Sequence, residues 1–253
     1  MNITLNRWFP WACTLLLAGA AQAQSPEYCF SVLNQRSPSL TAQYWNPILA
    51  YVSKKAGVDL KLRIGKTAPE TTALTLRGEA QFAYTNHLFT PERVKLGWRV
   101  IARPATDGIR GQLIVSEESA VHGVEVLQGH VVAFPSAEAF VGFKVPMNAL
   151  LQRGIQVTPL FSGNQEGAIG LLKSGRAMAA GVNEDVITAY GKRESFRYRV
   201  LWSSESYNDL AIMANPNLVP ESTIRAVQQA FVGMRGDNEG KRILAQGTAL
   251  LKL

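Results

Sequence analysis

The sequence predicts an α/β protein made of layered sheets and helices, and three observations carry that reading. Short apolar runs rich in β-branched residues recur along the chain, stretches with apolar residues at helical spacing follow them, and glycine or proline marks most of the joins. No internal repeat and no low-complexity linker interrupts the alternation.

Phe30–Leu33 reads as the first strand, and Asn34-Gln35-Arg36-Ser37-Pro38-Ser39 as the polar loop after it. A helix then runs to about Ala56, where Gly57 stops it; Leu40, Tyr44, Trp45, Ile48, Leu49 and Val52 recur at its period. Pro47 implies either a helix start there with Asn46 as cap, or a kink. From Val58 to Ile64, apolar residues alternate with Asp59, Lys61 and Arg63, a strand pattern. Pro69–Arg77 is a short helix closed by Gly78, Ala80–Tyr84 a strand ending at Thr85-Asn86-His87, Pro91–Leu96 a helix and Arg99–Ala102 extended. Gly111–Val115 and His130–Phe134 read as strands, and Ala137–Arg153 as a long helix stopped by Gly154. Gln156–Phe161 is a strand, Gln165–Lys173 a helix, Ala177–Ala180 a strand and Glu184–Tyr190 a helix stopped by Gly191. Tyr198–Trp202 and Leu210–Ala214 are strands, Pro220–Met234 an amphipathic helix, and Lys241–Ala245 a short last one.

Polar loops follow Leu33, Tyr84, Phe134, Phe161 and Gly181, and each leads toward a helix. Ligands of open α/β sheets sit outside the carboxyl ends of the strands, where helix N-termini offer free N–H groups and positive potential. The five loops converge on one cleft if two halves of the chain face each other.

The N-terminus sets the expected compartment. Residues 1–23 hold one charge, Arg7, then an apolar run from Trp8 to Ala20 and the small-residue site Ala21-Gln22-Ala23, the pattern of a cleaved secretory signal. The run is shorter than the roughly 20 residues a bilayer-spanning helix needs. Cys13 lies within the run, without a lipoprotein cleavage box before it, so a soluble periplasmic chain from Gln24 to Leu253 is expected. After cleavage only Cys29 remains, which excludes an intramolecular disulfide; Tyr28-Cys29-Phe30 reads as buried strand and the thiol as inert. Net charge goes from +7 to +6, that is 25 basic against 19 acidic residues. No run exceeds two adjacent bases and the chain is exported, which argues against nucleic acid as partner and leaves a mild bias toward anionic ligands.

Enzyme signatures are poor. His87, His122 and His130 are far apart with no HExxH and no cysteine partner, so neither a metal site nor a cofactor is expected. There is no G-x-S-x-G elbow and no P-loop. Glu184 and Asp185 are adjacent and so point to different helix faces, a poor acid/base pair.

The sequence resembles the phosphonate-, phosphite- and phosphate-binding proteins that feed ABC importers. The resemblance rests on Tyr44–Ser53 with the later Gly57, on Leu76-Arg77-Gly78-Glu79-Ala80-Gln81-Phe82-Ala83-Tyr84, and on Leu127-Gln128-Gly129-His130-Val131-Val132-Ala133-Phe134. Leu171–Ala177, Leu201–Glu205 and Gly240–Leu244 continue it in the same order over nearly the whole exported chain. It implies a type II, Venus-flytrap binding protein with two α/β lobes, each a mixed sheet flanked by helices, joined by two crossover strands. Lobe one is expected at about 25–111 plus 206–253 and lobe two at about 112–205, with Gly108, Gly111 and Ser203–Ser206 as hinge candidates. One stretch departs from the family. The loop that grips the phosphonate oxygens, rich there in Ser, Thr and Gly, reads Pro135-Ser136-Ala137-Glu138-Ala139-Phe140 here, with one hydroxyl and one negative charge.

Candidate ligand-binding residues sit at the strand ends. Arg36 follows strand one and has the fork to hold a carboxylate or phosphonate. Tyr84, Asn86 and His87 offer O–H, amide and ring N–H groups, with turn capping as the competing role for Asn86 and His87. Ser136 is a ligand donor or a helix cap; Ser162, Asn164 and Asn183 precede helices in the same way, and Tyr207 lies at the crossover as a pocket wall. The expected partners are a small, anionic, phosphonate- or oxyanion-like ligand and an ABC permease with its ATPase, or else a sensor histidine kinase, with the protein itself a monomer.

Overall fold

The computed structural model describes residues 25–251; the expected signal segment, with Arg7, Cys13 and Ala21-Gln22-Ala23, lies outside the described residues. The ten strands of the described residues form two five-stranded sheets. In the first, the order is β2 (Asp59–Arg63), β1 (Glu27–Val32), β3 (Phe82–Thr85), β10 (Ala211–Ala214), β4 (Arg99–Ala102). In the second it is β7 (Thr158–Phe161), β6 (Val131–Phe134), β8 (Ala179–Asn183), β5 (Gly111–Ser116), β9 (Tyr198–Ser203). Each sheet is parallel on one side and carries one strand that runs against both its neighbours, β10 in the first and β5 in the second. These are the strands that the chain enters after crossing from one sheet to the other. The two crossings touch: Ile109 and Tyr207 exchange backbone hydrogen bonds of 2.7 and 2.9 Å. Two lobes joined by two crossing segments are therefore present.

Burial explains the strands. Leu113 and Ile114 of β5 are both fully buried, yet they face different cores: Leu113 meets Leu127, Phe134 and Leu150, and Ile114 meets Ile169, Val182 and Ile187. A strand covered on both faces reads as continuous apolar sequence, as this one does. The first lobe's core centres on Phe30 and Phe82, stacked with ring centroids 6.5 Å apart, with Trp45 of α1 5.5 Å from Phe30.

Helix α1 spans Pro38–Ala56 and passes straight through Pro47. Its true start is Ser37, whose Oγ accepts from the Leu40 N–H, with Pro38 in the first turn; Gly57 ends it at φ 68°. Trp45, Ile48, Leu49 and Val52 all bury on the sheet, and that packing outweighs the hydrogen bond lost at Pro47.

Four other expectations are corrected. Residues 137–153 are not one helix: Phe140–Lys144 wind as a π turn and α4 covers only Val145–Gln152. Pro146 has no N–H to return to the preceding turn, and the chain ahead of it is pinned to the sheet instead. A Cβ on Gly111 would collide with the Val141 carbonyl, and one on Gly181 would lie 2.5 Å from the Phe134 ring and 2.7 Å from the Gly142 carbonyl. Gly181→Ala is accordingly expected to cost about 1–3 kcal/mol through overpacking, read as a lowered melting temperature. Helix α6 (Glu184–Glu194) runs through Gly191 and stops at Ser195, which takes φ 52°. Helix α8 extends over Asn238–Leu251, because Gly247 lets it lie against the Tyr44 ring. Cys29 is half-buried, not buried.

Candidate functional site

The carboxyl ends of both sheets face each other, and the lobes are in contact there. The Ala68 N–H donates to the Gly163 carbonyl (2.8 Å), and the Glu166 N–H donates to the Gln35 carbonyl (3.3 Å). The Ser37 N–H donates to Glu166 Oε2 at 3.3 Å, while Arg193 holds the other oxygen of that carboxylate at 2.6 Å. A second clasp is ionic. Glu138, from the loop after β6, accepts from Arg93 Nη1 and Nη2 at 3.0 and 2.7 Å and lies 3.2 Å from His87 Nδ1; both partners belong to the first lobe. His87 is 4% exposed, and its Nδ1 is also 2.8 Å from Thr72 Oγ1. With a ring and a guanidinium both turned to it, the Glu138 carboxyl is held far below the ordinary carboxylate range.

Behind these contacts lies a cavity of about 420 Å³. Its floor comes from the first lobe, with Arg36, Tyr44, Trp45 and Tyr84; the second lobe supplies Asn183 at the end of β8 and Asp185 in the first turn of α6; Asp209, on the returning crossover, completes it. The helices α7 (Glu221–Gly233) and α8 close its apolar side. Trp45 and Tyr84 stand 4.8 Å apart between ring centroids. Burial pushes the Tyr84 hydroxyl well above its ordinary pKa, with the charges of Asp209 and Asp185 adding to the effect; it also lowers Arg36 and raises Asp185 and Asp209.

Of the residues singled out from sequence, Arg36, Tyr84 and Asn183 line this cavity together. The Asn183 side chain also caps α6, accepting from the Asp185 N–H at 2.8 Å. Asn86, His87 and Ser136 meet at a separate crevice of about 30 Å³, where Ser136 is 3% exposed and its Oγ has no hydrogen-bond partner among the described residues; Asn86 and His87 also line, with Tyr207, a second cavity of about 400 Å³ beside the Glu138 clasp. Ser162 and Asn164 are occupied locally: Ser162 Oγ donates to the Asn164 carbonyl at 2.8 Å, and Asn164 Oδ1 caps α5 (Gln165–Lys173) through the Gly167 N–H at 2.8 Å. Tyr207 packs edge-on against Phe140, 4.9 Å away, and lines the cavity beside the Glu138 clasp, outside the 420 Å³ one.

Sequence reading left out Asp185, Asp209, Tyr44 and Trp45. The aromatic pair repeats at helical spacing and reads as core, which half of it is: Trp45 is 8% exposed and still reaches the cavity. Asp185 is visible as an acid in the first turn of a helix that follows a strand end. Asp209 has no such signal, because nothing local marks where the crossover turns inward. Among the described residues no group of three or more His, Cys, Asp or Glu side chains is placed to hold a metal ion.

A family model described as the periplasmic substrate-binding protein of the phosphonate ABC transporter matches residues 30–249. The chain belongs to this family. No curated protein sequence matches it closely enough to count as a relative. Solved structures similar to it share its fold at low identity. PhnD1 from Prochlorococcus marinus, in complex with methylphosphonate, is 17% identical over 87% of this chain and 89% of its own, with a TM-score of 0.74. A binding protein component of an ABC phosphonate transporter from Pseudomonas aeruginosa is 14% identical over 88% and 79%, with a TM-score of 0.75. An arginine-binding periplasmic protein from Salmonella typhimurium is 12% identical over 88% and 99%, with a TM-score of 0.66. Members of this phosphonate-binding family are solute-binding components of transporters, and among the described residues no helix is long and apolar enough to cross a membrane.

Proposed function

We propose that this protein is exported by cleavage after Ala23 and captures a small solute bearing an anionic group in the cleft between its lobes. It then presents that solute, as a monomer, to an ABC permease and its ATPase. The observation that carries the reading is the 420 Å³ cavity walled by both lobes, with Arg36 on one side and Asn183 on the other. A solute seated there touches both lobes at once and so favours the closed arrangement, which is how a ligand shifts a hinge. The segments 103–110 and 204–210 serve as the hinge, tied to each other by the Ile109–Tyr207 pair.

The test is a thermal-shift and calorimetric screen of residues 24–253 against oxyanions, phosphonates, carboxylates and amino acids. The expected result is one-to-one binding by one chemical class, with a gain of about 2.7 kcal/mol at a hundredfold excess over Kd. Trp45 emission should respond to the same titration, since that ring reaches the cavity. Binding that is indifferent to Arg36→Gln would place the ligand elsewhere, and silence from every class would overturn the reading. Tyr84→Phe is the matched control for the hydroxyl. It keeps the ring against Trp45, whereas Tyr84→Ala would also open a hole in the first lobe's core. Loss of the hydroxyl is expected to weaken binding by about 0.5–1.5 kcal/mol, measured by calorimetry.

A further inference from the structure

Three charged side chains turn to the cavity without an ion-pair partner. Arg36 lies within salt-bridge range of no carboxylate among the described residues. Its Nη1 reaches only Gln35 Oε1, at 3.5 Å, and its Nε is buried with no hydrogen-bond partner. Asp185 and Asp209 likewise lack a cation within that range among the described residues; the Asp209 carboxylate accepts only from its neighbour, the Leu210 N–H, at 2.6 Å. The three are near enough to feel one another's charge, but not near enough to neutralise one another. Arg36 and Asp209 are half-buried and Asp185 is exposed; a half-buried charge without a partner is costly, so such a set persists where a ligand completes it.

We propose, on the footing that the cleft is the solute site, that its ligand is an amino carboxylate: a small zwitterion whose carboxylate takes the Arg36 fork and whose cationic nitrogen sits between Asp185 and Asp209. One planar guanidinium matches one carboxylate in the two-point manner of Arg–carboxylate pairs. One carboxylate from the second lobe and one from the returning crossover give the ammonium a counter-charge on each side. The Tyr44, Trp45 and Tyr84 rings beside them supply π faces, which attract cations and cover a short methylene chain. Two further arginines stand at the same cavity. Arg103 donates to the Asp209 carbonyl at 2.8 Å and lies over the Phe89 ring, and Arg235 is at the exposed rim. Neither comes within ion-pair range of the two carboxylates, although Asp209 feels the Arg103 charge. The site does not suit a doubly charged phosphonate, which would meet two aspartates with one half-buried, unpaired arginine to hold it. The polar corner at Ser136 is about 30 Å³, and the cavity of about 400 Å³ beside it carries Glu138, whose charge is already taken by Arg93.

The experiment is calorimetric titration of residues 24–253 with L-ornithine, L-arginine and γ-aminobutyrate, with butyrate and butylamine as single-charge controls. Methylphosphonate and aminoethylphosphonate are the competing class. At least one amino carboxylate is expected to bind tenfold or more tightly than either single-charge control and than both phosphonates. Asp185→Asn and Asp209→Asn should each weaken it at least tenfold, with melting curves of the empty variants confirming the fold; asparagine at 209 still accepts from the Leu210 N–H. Arg36→Gln should weaken amino carboxylates and butyrate alike and leave butylamine unchanged. The proposal falls if a phosphonate binds more tightly than every amino carboxylate, or if the asparagine variants bind as tightly as the parent. Phosphonate binding lost in Arg36→Gln would sink the amino carboxylate and leave the cleft reading standing; no binding by any probe would sink both.

Discussion

Phe134→Ala is expected to lower the unfolding free energy by about 3–5 kcal/mol, the largest stability effect of any single change argued for this protein. The ring is fully buried at the end of β6, packs edge-on against Phe143 at 4.9 Å, and fills the space that Gly181 leaves open. It therefore joins three pieces that the cleft depends on: the strand before the Ser136 loop, the π turn and β8. Truncation leaves a cavity that the π turn can only partly fill, because its backbone is already pressed against Gly111 and Gly181. Urea denaturation of the two proteins, compared at unchanged slope, measures the effect. Phe161→Ala is the control; that ring is 45% exposed, and its removal should cost far less. Equal losses at the two positions would mean that the second lobe is not organised around Phe134.

The fold was legible because its strands are short apolar runs and its helices end in small residues. Gly111–Val115 reads as a strand from composition alone, since both of its faces are buried. What was not legible depended on contacts far apart in sequence. The π turn at 140–144 follows from the collisions that Gly111 and Gly181 avoid, and no local signal reports them. The length of α8 depends on the Tyr44 ring under Gly247, a residue that in isolation argues against helix. The site divided in the same way. Arg36, Tyr84 and Asn183 sit directly at strand ends, where open α/β sheets bind ligands, so position was enough to find them. Asp209 needed the crossover's path. Glu138 stands out in the sequence only as the negative charge of its loop; its role in joining the lobes needed the three-dimensional position of Arg93, 45 residues earlier.

Glu138→Ala is expected to loosen the closed arrangement by about 1–3 kcal/mol, a roughly 5- to 150-fold fall in the closed-to-open ratio. Removing one partner of a fully buried ion pair costs about 3–5 kcal/mol. The Glu138 side chain is 35% exposed, and solvent screening reduces that figure. What remains is substantial, because the carboxylate accepts both arms of the Arg93 fork and leaves the nearly buried His87 ring without it once removed. Small-angle scattering should report a larger radius of gyration for the variant than for the parent. A double-mutant cycle with Arg93→Ala separates this coupling from the cost of each truncation. The pH dependence has a definite sign. Glu138 has a depressed pKa in the folded protein, so its contribution is fully present above the ordinary glutamate range and is lost only as pH falls through the lowered value. The clasp should therefore outlast mild acidification that protonates exposed carboxylates. Asp185 and Asp209 behave in the opposite sense. Their raised pKa values mean that ionising them costs the folded state, so the empty cleft is relieved by acid at the pH where Glu138 still holds the lobes together. If binding requires the closed form, Glu138→Ala should weaken the solute by the same factor that it opens the hinge, although Glu138 does not line the 420 Å³ cavity. Unchanged scattering with unchanged affinity would mean that the backbone contacts at Gly163 and Gln35 hold the lobes without it.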